Sequence, residues 1–233
     1  MIGTAPRTLF RRRTRPAPAL PEGPARTRVV IFDFDGTLAD SIDWFLGVVN
    51  QLARRYNFRE STPEQLEALR GQAPLEILTT LGIPKWKLPA IARHTRALAA
   101  RHIDEIKLFD WAGGLLQELK ASGVTIVVVS SNSAANIQWV LGPHAALIDH
   151  YETGASLLGK SLKFKRVLKR LDVRADEVLS VGDEVRDIDA ARRAGIASIG
   201  VAWGASHGEA LVAAQAARLA STPAELRDYL LRQ

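Results

Sequence analysis

The chain of 233 residues contains no cysteine. This absence excludes a disulfide framework, a thiolate metal site and a cysteine nucleophile. No apolar run approaches the roughly 20 residues that a membrane-spanning helix needs. The first 30 residues also lack the apolar core of a secretory signal. We therefore expect a soluble, cytoplasmic protein without a membrane partner, and 47% hydrophobic residues are enough for one or two compact domains.

Positive charge is concentrated at the start of the chain. The formal net charge is +6, and residues 1–28 hold seven arginines against one acidic residue, so the rest of the chain is balanced. Residues 1–27 form a Pro/Arg-rich leader without periodicity, which we expect to be disordered. An organellar transit peptide or a polyanion-binding arm is the alternative. Because the folded body is neutral, we do not expect nucleic acid as a partner.

Beyond the leader, short β-rich runs alternate with longer helical segments. This alternation is typical of a parallel sheet wrapped by helices, so we predict an α/β fold with a Rossmann-like core. Polar or glycine-rich residues follow the stronger strands, and ligands of open α/β sheets bind beyond the carboxyl ends of strands. The predicted strands are Val29–Phe32, Val124–Val129, Leu147–Tyr151, Val178–Val181 and Ala197–Val201.

A long segment without a convincing strand separates the first two predicted strands. We expect residues 41–108 to form an inserted helical cap, and residues 28–40 and 109–233 to form the α/β catalytic core. Thr62 and Gln65 have the spacing of a capping box, which predicts a helix start. The longer predicted helices are Ile42–Phe58, Pro74–Leu81, Leu88–Ile106 and Trp111–Ser122.

Two aspartates, Asp33 and Asp35, follow the first predicted strand and precede a glycine. Side chains two positions apart on a strand point the same way, so both carboxylates are expected to face one site. Neighbouring carboxylates repel each other and raise each other's pKa. A hard divalent cation accounts for such a pair, and so does a division into nucleophile and acid.

Four segments together carry a resemblance to a known family. They are DFDGTLADS at 33–41, VVVSSN at 127–132, the pair Gly159-Lys160, and VGDEVRDIDAARRAG at 181–195. In this order and spacing they resemble the four motifs of the haloacid dehalogenase superfamily, in its phosphatase branch with a helical cap. Within that branch the chain resembles the phosphoglycolate phosphatase-like proteins, and the resemblance covers nearly all of residues 29–205.

The resemblance implies roles for the first motif. Asp33 would be the nucleophile that becomes an aspartyl-phosphate. Asp35 would act as general acid and then as base, with its backbone carbonyl on the metal, and its presence argues against a dehalogenase. Gly36 would permit a tight turn. Thr37 would shape and orient the loop.

The second and third motifs would hold the phosphoryl group. The resemblance makes Ser130 the phosphate-binding hydroxyl, with Ser131 and Asn132 lending backbone amides, although Ser131 is the alternative for the hydroxyl. Lys160 would be the cation that binds the phosphate and orients Asp33. We expect Lys163, like the basic residues after it, to lie on a solvated helix face.

The fourth motif would complete a magnesium site. Asp183 and Asp187 have its GDxxxD spacing. Asp33, Asp183 and the Asp35 carbonyl are a sufficient protein contribution to a Mg²⁺ octahedron, with Asp187 supporting them. Glu184 would either reach the metal through water or face solvent.

These features predict a Mg²⁺-dependent phosphomonoesterase of a small phosphorylated metabolite, with phosphoglycolate as the first candidate. Arg70 is a candidate for binding a substrate anion. Trp44, Trp86 and Trp111 either line a substrate pocket or belong to the core. The alternatives are a mutase of the β-phosphoglucomutase kind, a phosphonatase with a Schiff-base lysine, a polynucleotide phosphatase, and a non-catalytic protein that kept the fold.

Overall fold

The computed structural model describes residues 27–69, 74–154 and 159–231, together with Pro18. Nearly all of the predicted leader and the substrate-binding candidate Arg70 lie outside the described residues. Within those ranges, no helix combines the length and the apolar character that crossing a bilayer requires.

A parallel sheet forms the centre of the fold, as the sequence predicts. In chain order the strands are β1 (Val29–Phe32), β2 (Ala39–Asp40), β3 (Lys107–Leu108), β4 (Thr125–Val129), β5 (His150–Glu152), β6 (Val178–Gly182), β7 (Ala197–Val201) and β8 (Arg218–Ala220). Six of them pair in the order β5-β4-β1-β6-β7-β8, and every pairing in this sheet is parallel. The α/β prediction is confirmed.

Helices cover both faces of the sheet and fill the insertion. They are α1 (Ile42–Tyr56), α2 (Pro63–Glu67), α3 (Pro74–Thr80), α4 (Leu88–Arg101), α5 (Ala112–Ala121), α6 (Ala134–Leu141), α7 (Lys160–Leu171), α8 (Val185–Ala194), α9 (Gly208–Ala213) and α10 (Pro223–Leu231). The predicted capping box is present at α2, where Thr62 and Gln65 each accept the other's backbone N–H.

Strand β1 is buried on both faces, which explains its unbroken apolar sequence. Val30 and Phe32 pack in a cluster with residues of α5 and α6. Val29 and Ile31 point the other way, into a cluster with residues of α7 and α8. Asp33 continues this alternation, so its side chain is directed toward the side of the sheet that α7 and α8 cover.

The strand order brings three motif segments to one edge of the sheet. Strand β1 lies between β4 and β6, and Phe32 is level with Val128 and Val181 in the two pairings. The residues that follow these strands therefore emerge side by side at their carboxyl ends. This is the edge where ligands bind in open α/β sheets.

The inserted helices have a hydrophobic cluster of their own, formed by α1, the segments after α2, and α4, with Leu52, Ile77 and Ile91 fully buried. The short strands β2 and β3 pair antiparallel at the two ends of the insertion. They were not predicted, because two residues carry no recognisable pattern. Division of the chain at residues 41 and 108 stays a prediction.

Other boundaries differ from the prediction for local reasons. The weak strand expected at Leu147–Tyr151 is displaced to His150–Glu152, because residues Gly142–Leu147 form a 3₁₀ helix. The helix predicted to run from Leu88 to Ile106 ends at Arg101, and a separate 3₁₀ turn follows it.

Candidate active site

Asp33 lies at the carboxyl end of β1 and is held from both its backbone and its side chain. Its backbone N–H donates to the carbonyl of Val181 at 2.9 Å, and the residue is only 5% exposed. Its Oδ2 lies 2.7 Å from Nζ of Lys160. Lys160 is the first residue of α7, and the preceding Gly159 has a φ of +77°, a conformation that favours glycine.

Lys160 joins two motifs that are distant in sequence. Its Nζ donates to Oδ1 of Asp187 at 2.6 Å in addition to its contact with Asp33. Burial lowers the pKa of this ammonium group, but the carboxylates of Asp187 and Asp33 outweigh burial and hold the pKa above its ordinary value. Lys160 is therefore a permanent positive charge between the two carboxylates.

Asp35 lies in the same site but has a different environment. Its carboxyl group accepts from Nδ2 of Asn132 at 3.3 Å and from Oγ of Ser130 at 3.4 Å. Burial, and after it the charge of Asp33, raises the pKa of Asp35 to about 6. A carboxyl group with this pKa can give and take a proton near neutral pH.

Asp183 is fully buried beside the loop that follows β1. Its Oδ1 accepts from the hydroxyl of Thr37 at 2.7 Å, and its Oδ2 accepts from the backbone N–H of Ala205 at 2.8 Å. Gly36 has a φ of +78°, and a Cβ at this position would lie 2.4 Å from Oδ2 of Asp183. Both the backbone and the available space therefore require glycine here.

A cluster of three acidic residues offers a cation site. Oxygens of Asp33, Asp183 and Asp187 lie within 4.8 Å of one another. Burial raises the pKa of Asp183 and of Asp187. Within the described residues only one ammonium group, that of Lys160, forms ion pairs with this triad, so the three carboxyl groups outnumber the ammonium groups paired with them. Carboxylate oxygens in this number and charge fit a hard divalent cation.

Glu184 was predicted either to reach the metal through water or to face solvent. It does not face solvent. It is 8% exposed, and its Oε1 accepts from the guanidinium group of Arg186 at 2.5 Å. Burial raises its pKa to about 7, although Arg186 opposes this shift. Arg186 was not singled out from the sequence, because its partner Glu184 was itself expected to bind the metal or be solvated.

The geometry favours Ser130 over Ser131 as the hydroxyl of the second motif. Ser130 is 1% exposed and contacts Asp35, whereas Ser131 is exposed. The N-cap of α6 is Ser133, so Ser130 is not needed to begin that helix. The backbone N–H of Asn132 donates to Oγ of Ser130 at 3.0 Å, so this amide is engaged within the loop, and its binding of a phosphate stays a prediction.

Lys163 was expected on a solvated face and is instead 4% exposed. Its Nζ donates to the backbone carbonyls of Ser130 and Gly154, both at 2.6 Å. Phe164 and Val167 are buried on the same side of α7. The spacing of these residues along the helix was therefore a usable signal for the inward direction of Lys163.

A cavity of about 520 Å³ opens between the inserted helices and the sheet edge. Asp33, Asp35 and Ser130 form its floor, and Trp44 is part of its wall. Trp86 is 76% exposed, so it belongs neither to the core nor to this cavity. Trp111 stacks on Phe109 with ring centroids 5.9 Å apart.

Comparisons with known proteins agree with this arrangement. A family model described as haloacid dehalogenase-like hydrolase matches residues 30–201. A Synechococcus elongatus protein named phosphoglycolate phosphatase is 28% identical over 211 residues, covering 88% of this chain and 100% of that protein. A Mycobacterium tuberculosis protein named tyrosine-protein kinase PtkA is 31% identical over 186 residues, covering 76% of this chain and 62% of that protein.

The fold also has solved counterparts. The structure of a haloacid dehalogenase-like family hydrolase from Streptococcus pneumoniae superposes with a TM-score of 0.74 at 21% sequence identity. The superposition covers 88% of this chain and 98% of that chain. At this level of identity the likeness concerns the fold.

Proposed function

The chain belongs to the family of haloacid dehalogenase-like hydrolases, and from this membership we propose that it is a Mg²⁺-dependent phosphomonoesterase that works through an aspartyl-phosphate. The predicted family, fold and hydrolase class are confirmed. One observation carries the proposal further: Asp33, paired with Lys160, shares a cavity with Asp35, whose pKa is about 6. A nucleophile and a proton donor thus face the same space.

Asp33 begins the proposed reaction as the nucleophile. Lys160 contacts its Oδ2, which leaves Oδ1 to form the bond to phosphorus while the bond from phosphorus to the leaving oxygen breaks. Asp35 gives its proton to that oxygen, and the alcohol departs. Asp35 is then a carboxylate that takes a proton from water as the water oxygen bonds to phosphorus and the bond between phosphorus and Oδ1 of Asp33 breaks. Inorganic phosphate and the original Asp33 are the result.

Charge on the phosphoryl oxygens is matched by groups around Asp33. Lys160 supplies a fixed positive charge, and Ser130 supplies a hydroxyl donor at the start of the second-motif loop. Asp33, Asp183 and the carbonyl of Asp35 would hold Mg²⁺, with Asp187 beside them. Bound Mg²⁺ would neutralise part of the negative charge of the phosphoryl group.

The compound class is a small phosphorylated metabolite. Phosphoglycolate is the first compound to test, because it is named in relatives such as the Synechococcus elongatus protein. A mutase of the β-phosphoglucomutase kind is the second candidate, since the same nucleophile and acid would serve it. A mutase passes the phosphoryl group to a second hydroxyl and releases little phosphate, so the two activities are separable by product.

Phosphate release from a panel of phosphomonoesters, with Mg²⁺ and with EDTA, tests the proposal. We expect turnover with Mg²⁺ and none with EDTA. Asp33→Asn should abolish turnover while leaving the circular dichroism spectrum unchanged. Asp189→Asn is the matched control, because this acid pairs with Arg192 away from the triad. Retained turnover in Asp33→Asn would contradict the mechanism, and isomerisation without phosphate release would favour the mutase.

A further inference from the structure

The wall of the cavity above Asp33 is largely apolar. Its inserted-helix side includes Ile42 and Phe45 from α1, Leu78 from α3, and Leu88 and Ala92 from α4. The cavity measures about 520 Å³, within the range of about 300–1,000 Å³ for sites that enclose drug-sized ligands. A wall of this kind gains free energy when it contacts an apolar group instead of water.

One cationic side chain in this wall has no charge partner among the described residues. Arg96, on α4, lines the cavity and forms no ion pair or hydrogen bond with any residue of the described part of the chain. The other arginine of the wall, Arg186, is paired with Glu184 at 2.5 Å. An unpaired guanidinium group in a concave site is suited to bind a carboxylate or phosphate oxygen.

Two further polar groups of the wall lack partners in this conformation. The indole Nε1 of Trp44 and the hydroxyl of Thr95 are buried and have no hydrogen-bond partner among the described residues, and both residues line the same cavity as Arg96. A buried polar atom without a partner costs free energy, so native structures contain few of them.

From these features we infer that the substrate is a phosphomonoester whose leaving group has an apolar body, such as an aromatic ring, and carries a carboxylate that binds Arg96. This inference rests on the proposed function, because it places the phosphoryl group at Asp33. The apolar wall then contacts the body of the leaving group. Thr95 and Trp44 line the same cavity as Arg96.

The same features separate this substrate class from phosphoglycolate. Glycolate also has a carboxylate, but its two-carbon body offers little surface to the apolar side chains of α1, α3 and α4. Most of the wall would remain in contact with water. Burying an aromatic ring against this wall should raise affinity roughly tenfold or more.

Binding of phosphonates, which cannot be hydrolysed, tests the inference without relying on turnover. The full chain with Mg²⁺ is titrated by calorimetry with 4-carboxybenzylphosphonate, with benzylphosphonate and with phosphonoacetate. We expect the first to bind about tenfold or more tightly than the second, because its carboxylate gains a charge-assisted hydrogen bond. We also expect it to bind about tenfold or more tightly than the third, because it buries a ring.

Substitutions then locate the effect. Arg96→Gln should bring the two aromatic phosphonates to within about threefold of each other, because only weak polar contacts remain. Arg93→Gln is the matched control, since Arg93 is an exposed residue of the same helix. It should leave the preference intact. Ala92 is an exposed residue that lines the cavity. Ala92→Phe should weaken the binding of both aromatic ligands and leave the binding of phosphonoacetate unchanged.

The outcomes distinguish this inference from the proposed function. Equal or tighter binding of phosphonoacetate overturns the inference, and so does an unchanged preference in Arg96→Gln. The phosphate esters 4-carboxyphenyl phosphate and phenyl phosphate are assayed in parallel for phosphate release. Binding in the expected order without hydrolysis of either ester supports the subsite and contradicts the phosphatase. Hydrolysis with phosphoglycolate preferred supports the phosphatase and contradicts the subsite.

Discussion

Replacing Lys163 by methionine should weaken both the fold and the reaction. The ammonium group of Lys163 is buried and ties together the loops after β4 and β5, through the carbonyls of Ser130 and Gly154. Methionine has nearly the same length and keeps the apolar part of the packing. The change therefore removes mainly the two hydrogen bonds.

The magnitude follows from those two contacts. A hydrogen bond to a charged group contributes about 1.5–3 kcal/mol, and removing the donor leaves buried carbonyls unpaired. Burial of an ammonium group has a cost that the substitution recovers, so we expect a net loss of about 2–3 kcal/mol in the free energy of unfolding. Ser130 also holds the Asp35 side chain, and a displacement near 1 Å in such a site lowers kcat by about 10²-fold.

Urea unfolding followed by circular dichroism gives the free energy of unfolding, and phosphate release at saturating substrate gives kcat. Lys165→Met is the matched control, because Lys165 is exposed on the same helix. A surface change of this kind should stay within about 0.5 kcal/mol of the wild type. If Lys163→Met behaves like Lys165→Met in both assays, Lys163 does not position the Ser130 loop.

Three other changes have defined outcomes. Gly36→Ala would place a Cβ 2.4 Å from an oxygen of Asp183, at a residue whose φ is +78°. We therefore expect weaker Mg²⁺ binding by calorimetry and a kcat reduced about tenfold or more. Wild-type values of both quantities would contradict the steric reasoning. Folding without metal raises the pKa of Asp35 from 3.8 to about 6, so its contribution to stability is full below about pH 4 and is lost as pH rises toward about 6. Mg²⁺ would compete with protons for the carboxyl groups of Asp183 and Asp187, whose pKa values burial raises, so the difference between thermal midpoints in Mg²⁺ and in EDTA should grow as the pH rises from acidic to neutral; a difference independent of pH would count against it. Removal of residues 1–26 should leave kcat unchanged while lowering any salt-dependent retention on DNA; equal retention by both proteins would exclude the leader as a polyanion-binding arm.

Strand β1 shows what the sequence can predict. Four apolar residues in succession have no face for solvent, so burial on both sides followed from the sequence, and the observed strand has the predicted bounds. The positions of the motif residues also followed from the sequence. Asp33, Ser130, Lys160 and Asp183 are far apart in sequence, but each follows a strand or begins a helix, and parallel strands bring such positions to one edge.

What the sequence did not predict depends on contacts between distant segments. Strands β2 and β3 exist because Ala39 and Leu108 pair across the whole insertion. The edge strand β8 is only three residues long and is defined by its pairing with β7. Short strands of this kind are set by their partners rather than by their own residues.

The direction of charged side chains was hardest to predict. Lys163 and Glu184 are of types that usually lie in solvent, but each is buried with a partner: Lys163 donates to the carbonyl of Ser130 from another loop, and Glu184 pairs with Arg186 of its own motif. Arg96 belongs to no recognisable motif. Its candidate role in binding depends on the cavity that the inserted helices form over the sheet edge.

In the proposed mechanism Asp33 carries the phosphoryl group during turnover. Mass spectrometry of the protein, quenched in acid while it turns over a substrate with Mg²⁺, would detect this intermediate. We expect one added phosphoryl group on the peptide that contains Asp33, absent from the EDTA sample and from Asp33→Asn. A substrate that is rapidly hydrolysed with no such adduct, or with the adduct on another residue, would contradict it.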